Sequence, residues 1–191
     1  MTRPALFLDR DGIINEDRGY VHRIRDFAFR DGIFALCRAA QARGYGLVVV
    51  TNQAGIGRGY YTEEDFHALT HWMLGVFHAE GVGFLGVEFC PDHPVHGIGR
   101  YRRENIRRKP GPGMILDACA AHRLDPAHSV MLGDRATDMQ AAAAARIGRP
   151  ILLPAGAEEA AAAPPGTVVL TDAGPEAAIP WLAAAPADQL R

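Results

Sequence analysis

The chain has 191 residues, of which 48% are hydrophobic and 22% are charged, and its formal net charge is −2 at pH 7. This length suits one α/β domain with a substantial core and is short for two, so we expect a single domain over residues 1–191. The nearly balanced charge argues against a general polyanion binder, and we expect neither a nucleic-acid nor a membrane partner.

Short apolar runs alternate with helix-like segments along residues 5–153. Strands are predicted at Ala5–Asp9, Gly46–Thr51, Leu85–Cys90, Ser129–Gly133, Pro150–Leu153 and Thr167–Leu170. Helices are predicted at about Gly32–Ala42, Glu63–Glu80, Gly113–His122 and Thr137–Ala145. The strand-like runs are rich in Val, Ile and Leu, as are parallel strands that are covered on both faces. The alternation predicts an α/β fold, a doubly wound parallel sheet with right-handed crossovers.

The second predicted helix carries the clearest local signals. Thr62 and Asp65 resemble a capping box at its start. Apolar residues recur at helical spacing, and we expect four of them in the core: Phe66, Leu69, Met73 and Phe77. The alanine-rich stretch at 155–165 shows no such pattern, and we assign no function to the C-terminal segment 154–191.

The first strand ends at two aspartates that are two residues apart, Asp9 and Asp11, and Gly12 follows. Residues i and i+2 of a strand point to the same side, so these carboxylates can converge on one point. Convergent carboxylates suit a divalent cation or acid–base work; the alternative is a turn that uses them as local acceptors. Ile13 and Tyr20 break the ligand pattern of a calcium loop.

Other polar residues are expected at the same edge of the sheet, because the carboxyl ends of parallel strands meet there and ligands bind there. Thr51-Asn52-Gln53 lies at the end of the second strand and Gly133-Asp134-Arg135 at the end of the fourth. Lys109-Pro110 precedes a helix on this side. The connections at 12–31 and 91–108 are longer than ordinary loops, so they are candidates for elements that cover a substrate.

Asp9, Asp11, Thr51, Lys109 and Asp134 together supply the parts that phosphoryl transfer requires. A carboxylate can attack phosphorus to form an aspartyl-phosphate. Mg²⁺ held by Asp9 and Asp134 would offset the repulsion between carboxylate and phosphate. Lys109 and Thr51 would hold the equatorial oxygens, and Asp11 could protonate the leaving alcohol and then deprotonate the attacking water.

Four ordered motifs resemble the haloacid dehalogenase (HAD) superfamily: Asp9-Arg10-Asp11-Gly12, Thr51, Lys109 and Gly133-Asp134. A closer resemblance is to the D-glycero-D-manno-heptose 1,7-bisphosphate 7-phosphatases. It rests on Asp9–Asn15, Gly19-Tyr20-Val21, Thr51–Gly59, Cys90-Pro91, Arg108-Lys109-Pro110 and Pro112-Gly113-Met114. This resemblance implies a Rossmann-like fold with a minimal cap made of loops. It also implies a cytoplasmic, Mg²⁺-dependent enzyme that acts on a lipopolysaccharide sugar precursor.

The resemblance also implies a role for each matching position. Asp9 would be the nucleophile and Asp11 the acid–base residue, while Asp9, the Asp11 main-chain carbonyl and Asp134 would bind the metal. Thr51 and Lys109 would orient the phosphate. The residues implied in substrate binding are Asp17, Arg18, Gly19, Tyr20, Asn52, Gln53, Ala54, Arg108 and Arg135. Arginine suits a second phosphate because its planar fork binds phosphate bidentately.

The chain departs from the family pattern at two places. Ile13 stands where a Thr is usual, which leaves the carboxylates intact, and we expect activity to survive. Many relatives hold zinc in a loop with Cys-x-His and Cys-x-Cys ligands, and those places read Cys90, Asp92, Asn105 and Arg107 here. We predict that structural zinc is absent, because such a site needs four closed ligands. Asp92 and Arg107 are predicted to pair instead.

The sequence leaves several points open. Asp138, four residues after Asp134, could support the metal or be a plain surface or capping carboxylate. His93 and His96 are interpreted as exposed loop histidines.

The alternative activity is that of a histidinol-phosphate phosphatase or another small phosphate-monoester phosphatase. A scaffold on a decayed catalytic frame is disfavoured because the catalytic residues are all present. The three cysteines are expected to be free thiols, and we expect a cytoplasmic monomer. The preferred anomer is left open.

Overall fold

The computed structural model of the chain describes residues 2–183. The strands are β1 (Ala5–Leu8), β2 (Gly46–Asn52), β3 (Gly86–Cys90), β4 (Val130–Gly133), β5 (Arg149–Leu152) and β6 (Val168–Val169). The helices are α1 (Ile33–Ala42), α2 (Ala54–Gly57), α3 (Glu63–Ala79), α4 (Gly113–His122), α5 (Ala136–Ala144) and α6 (Ala157–Ala161). The strands pair in parallel in the order β3-β2-β1-β4-β5-β6, which confirms the predicted doubly wound sheet.

Both faces of the sheet are covered. Along β1, Leu6 and Leu8 pack into one cluster, whereas Ala5 and Phe7 pack into another on the opposite face. The first cluster takes its helical residues from α1 and α3, and the second takes them from α4 and α5. Burial on both faces is the reason why β1 and β2 read as nearly continuous apolar runs.

The structure confirms the predicted capping box and the predicted buried face of α3. The Thr62 hydroxyl accepts a hydrogen bond from the Asp65 backbone N–H (3.1 Å), and Asp65 Oδ2 accepts one from the Thr62 N–H (2.9 Å). The four apolar residues expected in the core are buried. By contrast, α2 and α6 were not predicted, because four or five residues are too few to show a helical period. Alanine nevertheless favours helix, which fits the position of α6.

The strand order places β1 between β2 and β4, at the centre of the sheet. The backbone N–H of Asp9 extends this pairing by donating to Leu132 O (3.0 Å). Residues that follow β1, β2 and β4 therefore leave the sheet side by side at its carboxyl edge. Between residues 2 and 183, no helix combines the length and the apolar character needed to cross a membrane.

Candidate active site

A cavity of about 540 Å³ lies at the carboxyl edge of the sheet. The two long connections contribute walls to it, as expected for covering elements. Its lining residues include most of the predicted site: Asp9, Asp11, Asp17, Gly19, Tyr20, Thr51, Asn52, Gln53, Ala54, Arg108, Lys109 and Arg135. Arg18 is not part of this lining; it is half exposed and pairs with Glu16 at 2.6 Å. Asp134 is buried and borders a neighbouring cavity with Gly12.

Three carboxylates and one ammonium group lie close together at the carboxyl edge of the sheet: Asp9, Asp138 and Lys109 line the cavity, and Asp134 is buried beside it. Single oxygens of Asp9, Asp134 and Asp138 lie within 4.8 Å of one another. Lys109 Nζ lies 2.8 Å from Asp9 Oδ1 and 2.6 Å from Asp138 Oδ1, and it donates to Val50 O at 3.0 Å. Fully ionised, this cluster carries a charge of −2, which one divalent cation would neutralise. Asp134 Oδ1 is buried without a hydrogen-bond partner in the described residues, as a metal ligand would be.

Burial and mutual repulsion perturb these groups. Burial raises the pKa of Asp134, and the charges of Asp9 and Asp138 raise it further. Burial also raises the pKa of Asp9, although the Lys109 ammonium opposes that rise. For Lys109, burial alone would lower the pKa, but the charges of Asp138 and Asp9 raise it above its ordinary value. Lys109 therefore stays charged, and the raised pKa values of Asp9 and Asp134 mean that these two carboxyls hold protons more tightly than usual until a cation binds.

Two local features hold the carboxylates at this distance. Gly12 has φ +86°, and a Cβ at this position would lie 2.3 Å from Asp134 Oδ2. Only glycine permits both the left-handed backbone and the close approach. Asp138 Oδ2 accepts hydrogen bonds from the backbone N–H groups of Asp134 (3.2 Å) and Arg135 (3.0 Å). Asp138 is thus a buried carboxylate that caps α5 and contacts Lys109, and the surface interpretation is wrong.

Asp11 is fixed by three side chains. Arg10 NH2 donates to both of its oxygens at 2.9 Å, and Asn15 Nδ2 donates to Oδ1 at 3.1 Å. Gln53 Nε2 donates to Oδ2 at 3.2 Å and to Thr51 Oγ1 at 2.8 Å. The contribution of Arg10 and Asn15 was missed, because nothing in the linear pattern shows that a buried arginine turns back onto the next residue.

Polar contacts also connect the site to its surroundings. Asn52 exchanges two hydrogen bonds with the backbone of Lys109, both 3.0 Å long, which ties the end of β2 to the start of the α4 segment. Arg135 lies 2.9 Å from Asp17 Oδ2 and 3.8 Å from Glu159 Oε1. Glu159 belongs to α6 and was missed, because the alanine-rich segment offers no periodic signal that would place it near a site.

One predicted ion pair is wrong. Asp92 does not pair with Arg107; its Oδ2 accepts from Arg103 Nε at 2.8 Å and from Asn105 Nδ2 at 2.6 Å. Arg107 instead pairs with Glu88 at 2.6 Å and with Asp117. The sequence places several arginines near Asp92, and only the path of the loop decides which one reaches it. The prediction that structural zinc is absent remains a prediction.

The parallel sheet, the carboxylates that follow β1 and β4, and the adjacent Lys109 define a phosphatase of the HAD superfamily. Residues 106–173 match the family described as HAD-hydrolase-like. The structure is similar to a putative HAD-like phosphatase from Mesorhizobium loti, which is 34% identical (TM-score 0.82; 95% of this chain and 88% of that chain covered). It is also similar to D,D-heptose 1,7-bisphosphate phosphatase from B. bronchiseptica, whose structure contains magnesium and phosphate. That protein is 29% identical (TM-score 0.81; 94% of this chain and 97% of that chain covered).

Curated relatives narrow the class further. The chain is 56% identical to the D-glycero-alpha-D-manno-heptose-1,7-bisphosphate 7-phosphatase of Burkholderia mallei (80% of this chain and 81% of the relative covered). It is 53% identical to the D-glycero-beta-D-manno-heptose-1,7-bisphosphate 7-phosphatase of Vibrio cholerae (82% and 84% covered). The chain therefore belongs to the D-glycero-D-manno-heptose-1,7-bisphosphate 7-phosphatase family, which confirms the predicted family and the predicted enzyme class.

Proposed function

We propose that this protein is a Mg²⁺-dependent phosphatase that removes the C7 phosphate of D-glycero-D-manno-heptose 1,7-bisphosphate. The observation that carries this proposal is the buried cluster of Asp9, Asp134 and Asp138 around Lys109 at the end of β1. Support for the substrate comes from relatives that carry this activity in their names and are 46–56% identical to the chain.

The residues that follow β1 and β4 fit a magnesium ion. We propose Asp9, the main-chain carbonyl of Asp11 and Asp134 as its ligands, since hard oxygen donors suit Mg²⁺. The orphaned Asp134 Oδ1 and the net charge of the cluster support this choice. When bound, Mg²⁺ would supply positive charge that offsets the repulsion between the Asp9 carboxylate and the phosphate.

In the first step, a carboxylate oxygen of Asp9 forms a bond to phosphorus, and the bond from phosphorus to the C7 oxygen breaks. The C7 oxygen takes a proton from Asp11 and leaves as an alcohol. The Lys109 ammonium, fixed by three contacts, and the Thr51 hydroxyl hold the phosphoryl oxygens as negative charge develops on them. Asp9 is left as an aspartyl-phosphate.

In the second step, a water molecule attacks the phosphorus and passes a proton to Asp11. The bond from phosphorus to Asp9 breaks, which restores the carboxylate and releases inorganic phosphate. Arg10, Asn15 and Gln53 keep Asp11 in one orientation for both proton transfers. This orientation would place one acid–base group on the path of the leaving alcohol and of the incoming water.

The test is phosphate release with Mg²⁺ from the α and β anomers of the heptose bisphosphate, beside histidinol phosphate and fructose 1,6-bisphosphate. We expect a strong preference for one heptose anomer and no turnover in EDTA. Preference for histidinol phosphate, or equal slow turnover of all four compounds, would contradict the proposed substrate. Mass spectrometry of acid-quenched protein should find phosphate on Asp9, and its absence under turnover would contradict the covalent step.

A further inference from the structure

A buried tyrosine, Tyr61, contacts the side chain that holds Asp11 and Thr51. Tyr61 lies between α2 and α3 and is only 6% exposed. Its hydroxyl donates to Gln53 Oε1 at 2.5 Å. Gln53 is itself buried, and within residues 2–183 no other group donates to its Oε1. Tyr61 is therefore the partner that satisfies the amide oxygen of Gln53.

The NH₂ end of the Gln53 amide makes the two contacts that matter for the reaction. Nε2 carries two protons, and it donates to Asp11 Oδ2 at 3.2 Å and to Thr51 Oγ1 at 2.8 Å. In the reversed orientation, Gln53 Oε1 would face the carboxylate of Asp11, and two acceptors would oppose each other. The Tyr61 hydroxyl and the Asp11 carboxylate thus favour the same orientation of the amide.

This orientation determines where the Thr51 hydroxyl can donate its proton. Thr51 Oγ1 accepts from Gln53, so this contact does not use the single proton of the hydroxyl. In the described part of the chain, Thr51 Oγ1 donates to no other group, and Thr51 lines the cavity. Its proton is therefore free for a phosphoryl oxygen. If the amide were reversed, Thr51 would donate to Gln53 Oε1, and the proton would no longer be available to the substrate.

The surroundings of Tyr61 hold its ring and keep its hydroxyl protonated. A Cβ at Gly55 would lie 2.2 Å from Tyr61 Cε1, so glycine leaves the space that the ring occupies. The His22 ring is stacked on the Tyr61 ring, with centroids 4.8 Å apart and 3° between the planes. His22 Nδ1 in turn donates to Tyr20 O at 2.7 Å. Burial raises the pKa of the Tyr61 phenol, although the charge of Arg10 opposes that rise, so the hydroxyl remains a donor.

We propose that Tyr61 is a positioning residue for the phosphatase reaction, which acts through Gln53 to keep both Asp11 and Thr51 in their working orientations. This inference rests on the proposed function. Thr51 stabilises negative charge on the phosphoryl oxygens with any leaving group. Asp11 is needed as an acid only when the leaving group is an alcohol that must be protonated. The effect of Tyr61 on the first step should therefore depend on the leaving group.

The test compares kcat/KM of Tyr61→Phe and of the wild type for two substrates with Mg²⁺. The heptose 1,7-bisphosphate has an alcohol as its leaving group, whereas p-nitrophenyl phosphate releases a stable phenolate. Loss of a neutral hydrogen bond lowers a rate by about 2- to 10-fold. We expect a fall of about 10-fold for the heptose compound and of about 2- to 3-fold for p-nitrophenyl phosphate. A merely structural role would lower both values equally, and equal falls or no fall would overturn the proposal.

The matched control is Tyr101→Phe. It removes a phenol hydroxyl that donates to Glu63 at 2.7 Å, and Tyr101 is not part of the cavity lining. Both of its kcat/KM values should equal those of the wild type. Melting curves confirm that each variant is folded.

A double-mutant cycle tests whether Tyr61 acts through Gln53. In a Gln53→Ala background, Tyr61→Phe should cause no further fall in kcat/KM; a fall as large as in the wild-type background would overturn the proposal. If the wild type hydrolyses p-nitrophenyl phosphate but not the heptose compound, the proposed substrate is wrong. Histidinol phosphate or fructose 1,6-bisphosphate, whichever turns over faster, then supplies the alcohol leaving group, and the same comparison decides the role of Tyr61.

Discussion

Replacement of Asp138 by asparagine should lower the free energy of unfolding. It should also lower the turnover rate, because Asp138 contacts Lys109, which we propose to hold the phosphate. Asp138 gives one oxygen to Lys109 and the other to two backbone N–H groups at the start of α5. An asparagine side chain has only one acceptor oxygen. Its NH₂ group must therefore face donors on one side, either the ammonium of Lys109 or the N-terminus of α5.

Two Coulomb effects of this change nearly cancel. At an effective dielectric constant of about 20, the attraction between Asp138 and Lys109 at 2.6 Å is worth about 6 kcal/mol. Repulsion from the oxygens of Asp9 and Asp134, within 4.8 Å, is worth about 3.5 kcal/mol or more for each of them. The loss of a charged hydrogen bond then determines the change in the free energy of unfolding, which should fall by about 2 kcal/mol.

The assays are thermal melting and steady-state kinetics of Asp138→Asn with Mg²⁺. The melting temperature should fall by about 4–8 °C for a chain of this size. Because Lys109 loses one of its fixed contacts, kcat should fall by about 10- to 100-fold. Asp31→Asn is the matched control, since Asp31 is exposed and its side chain makes no hydrogen bond in the described residues. A variant that melts and turns over like this control would refute the reasoning.

Three further predictions concern the same cluster. Asp9→Asn should lower kcat/KM by at least about 10³-fold with a normal melting curve, since an amide cannot attack phosphorus; activity within tenfold of wild type would exclude Asp9 as nucleophile. Gly12→Ala should weaken Mg²⁺ binding in a calorimetric titration by displacing Asp134, whereas Gly81→Ala, with φ +75° and open space, should not; equal affinity in both would count against the clash. Burial raises the pKa of Asp9 to about 7 and of Asp134 to about 8, above the unfolded value of 3.8, so the folded state binds protons more tightly. In EDTA, the free energy of unfolding should therefore fall as pH rises from about 4 to 8 and Mg²⁺ should restore it; a flat profile would contradict these shifts.

The sequence predicts the sheet well because its strands are buried on both faces. Continuous apolar runs such as Gly46–Asn52 can therefore be recognised in the sequence without knowledge of the tertiary contacts. The predicted strand bounds agree with the structure to within one or two residues. The helices α2 and α6 could not be predicted in this way. They are too short to show a helical period, and nothing in the sequence indicates that Glu159 of α6 contacts Arg135 and the backbone N–H of Ala136.

In the candidate site, too, the sequence predicts some features and not others. Aspartates after β1 and β4 and a threonine near the carboxyl end of β2 meet because parallel strands share one edge, which follows from the chain order alone. The pairing of charges does not follow from it. Among the arginines between residues 100 and 108, Arg103 reaches Asp92 and Arg107 reaches Glu88, and Arg108 has no carboxylate partner in the described part of the chain. Their order along the chain is compatible with other pairings.

The sequence by itself determined the alternation of strands and helices, the residue types at the strand ends and the chemistry that they can perform. These properties depend on local periodicity and on the shared edge of a parallel sheet. Only the tertiary structure decided that Asp138 faces Lys109, that Gly12 admits Asp134, and that the Tyr61 hydroxyl reaches Gln53. Such contacts depend on loop paths and on distances of a few ångströms between residues far apart in the chain, which a linear pattern does not encode.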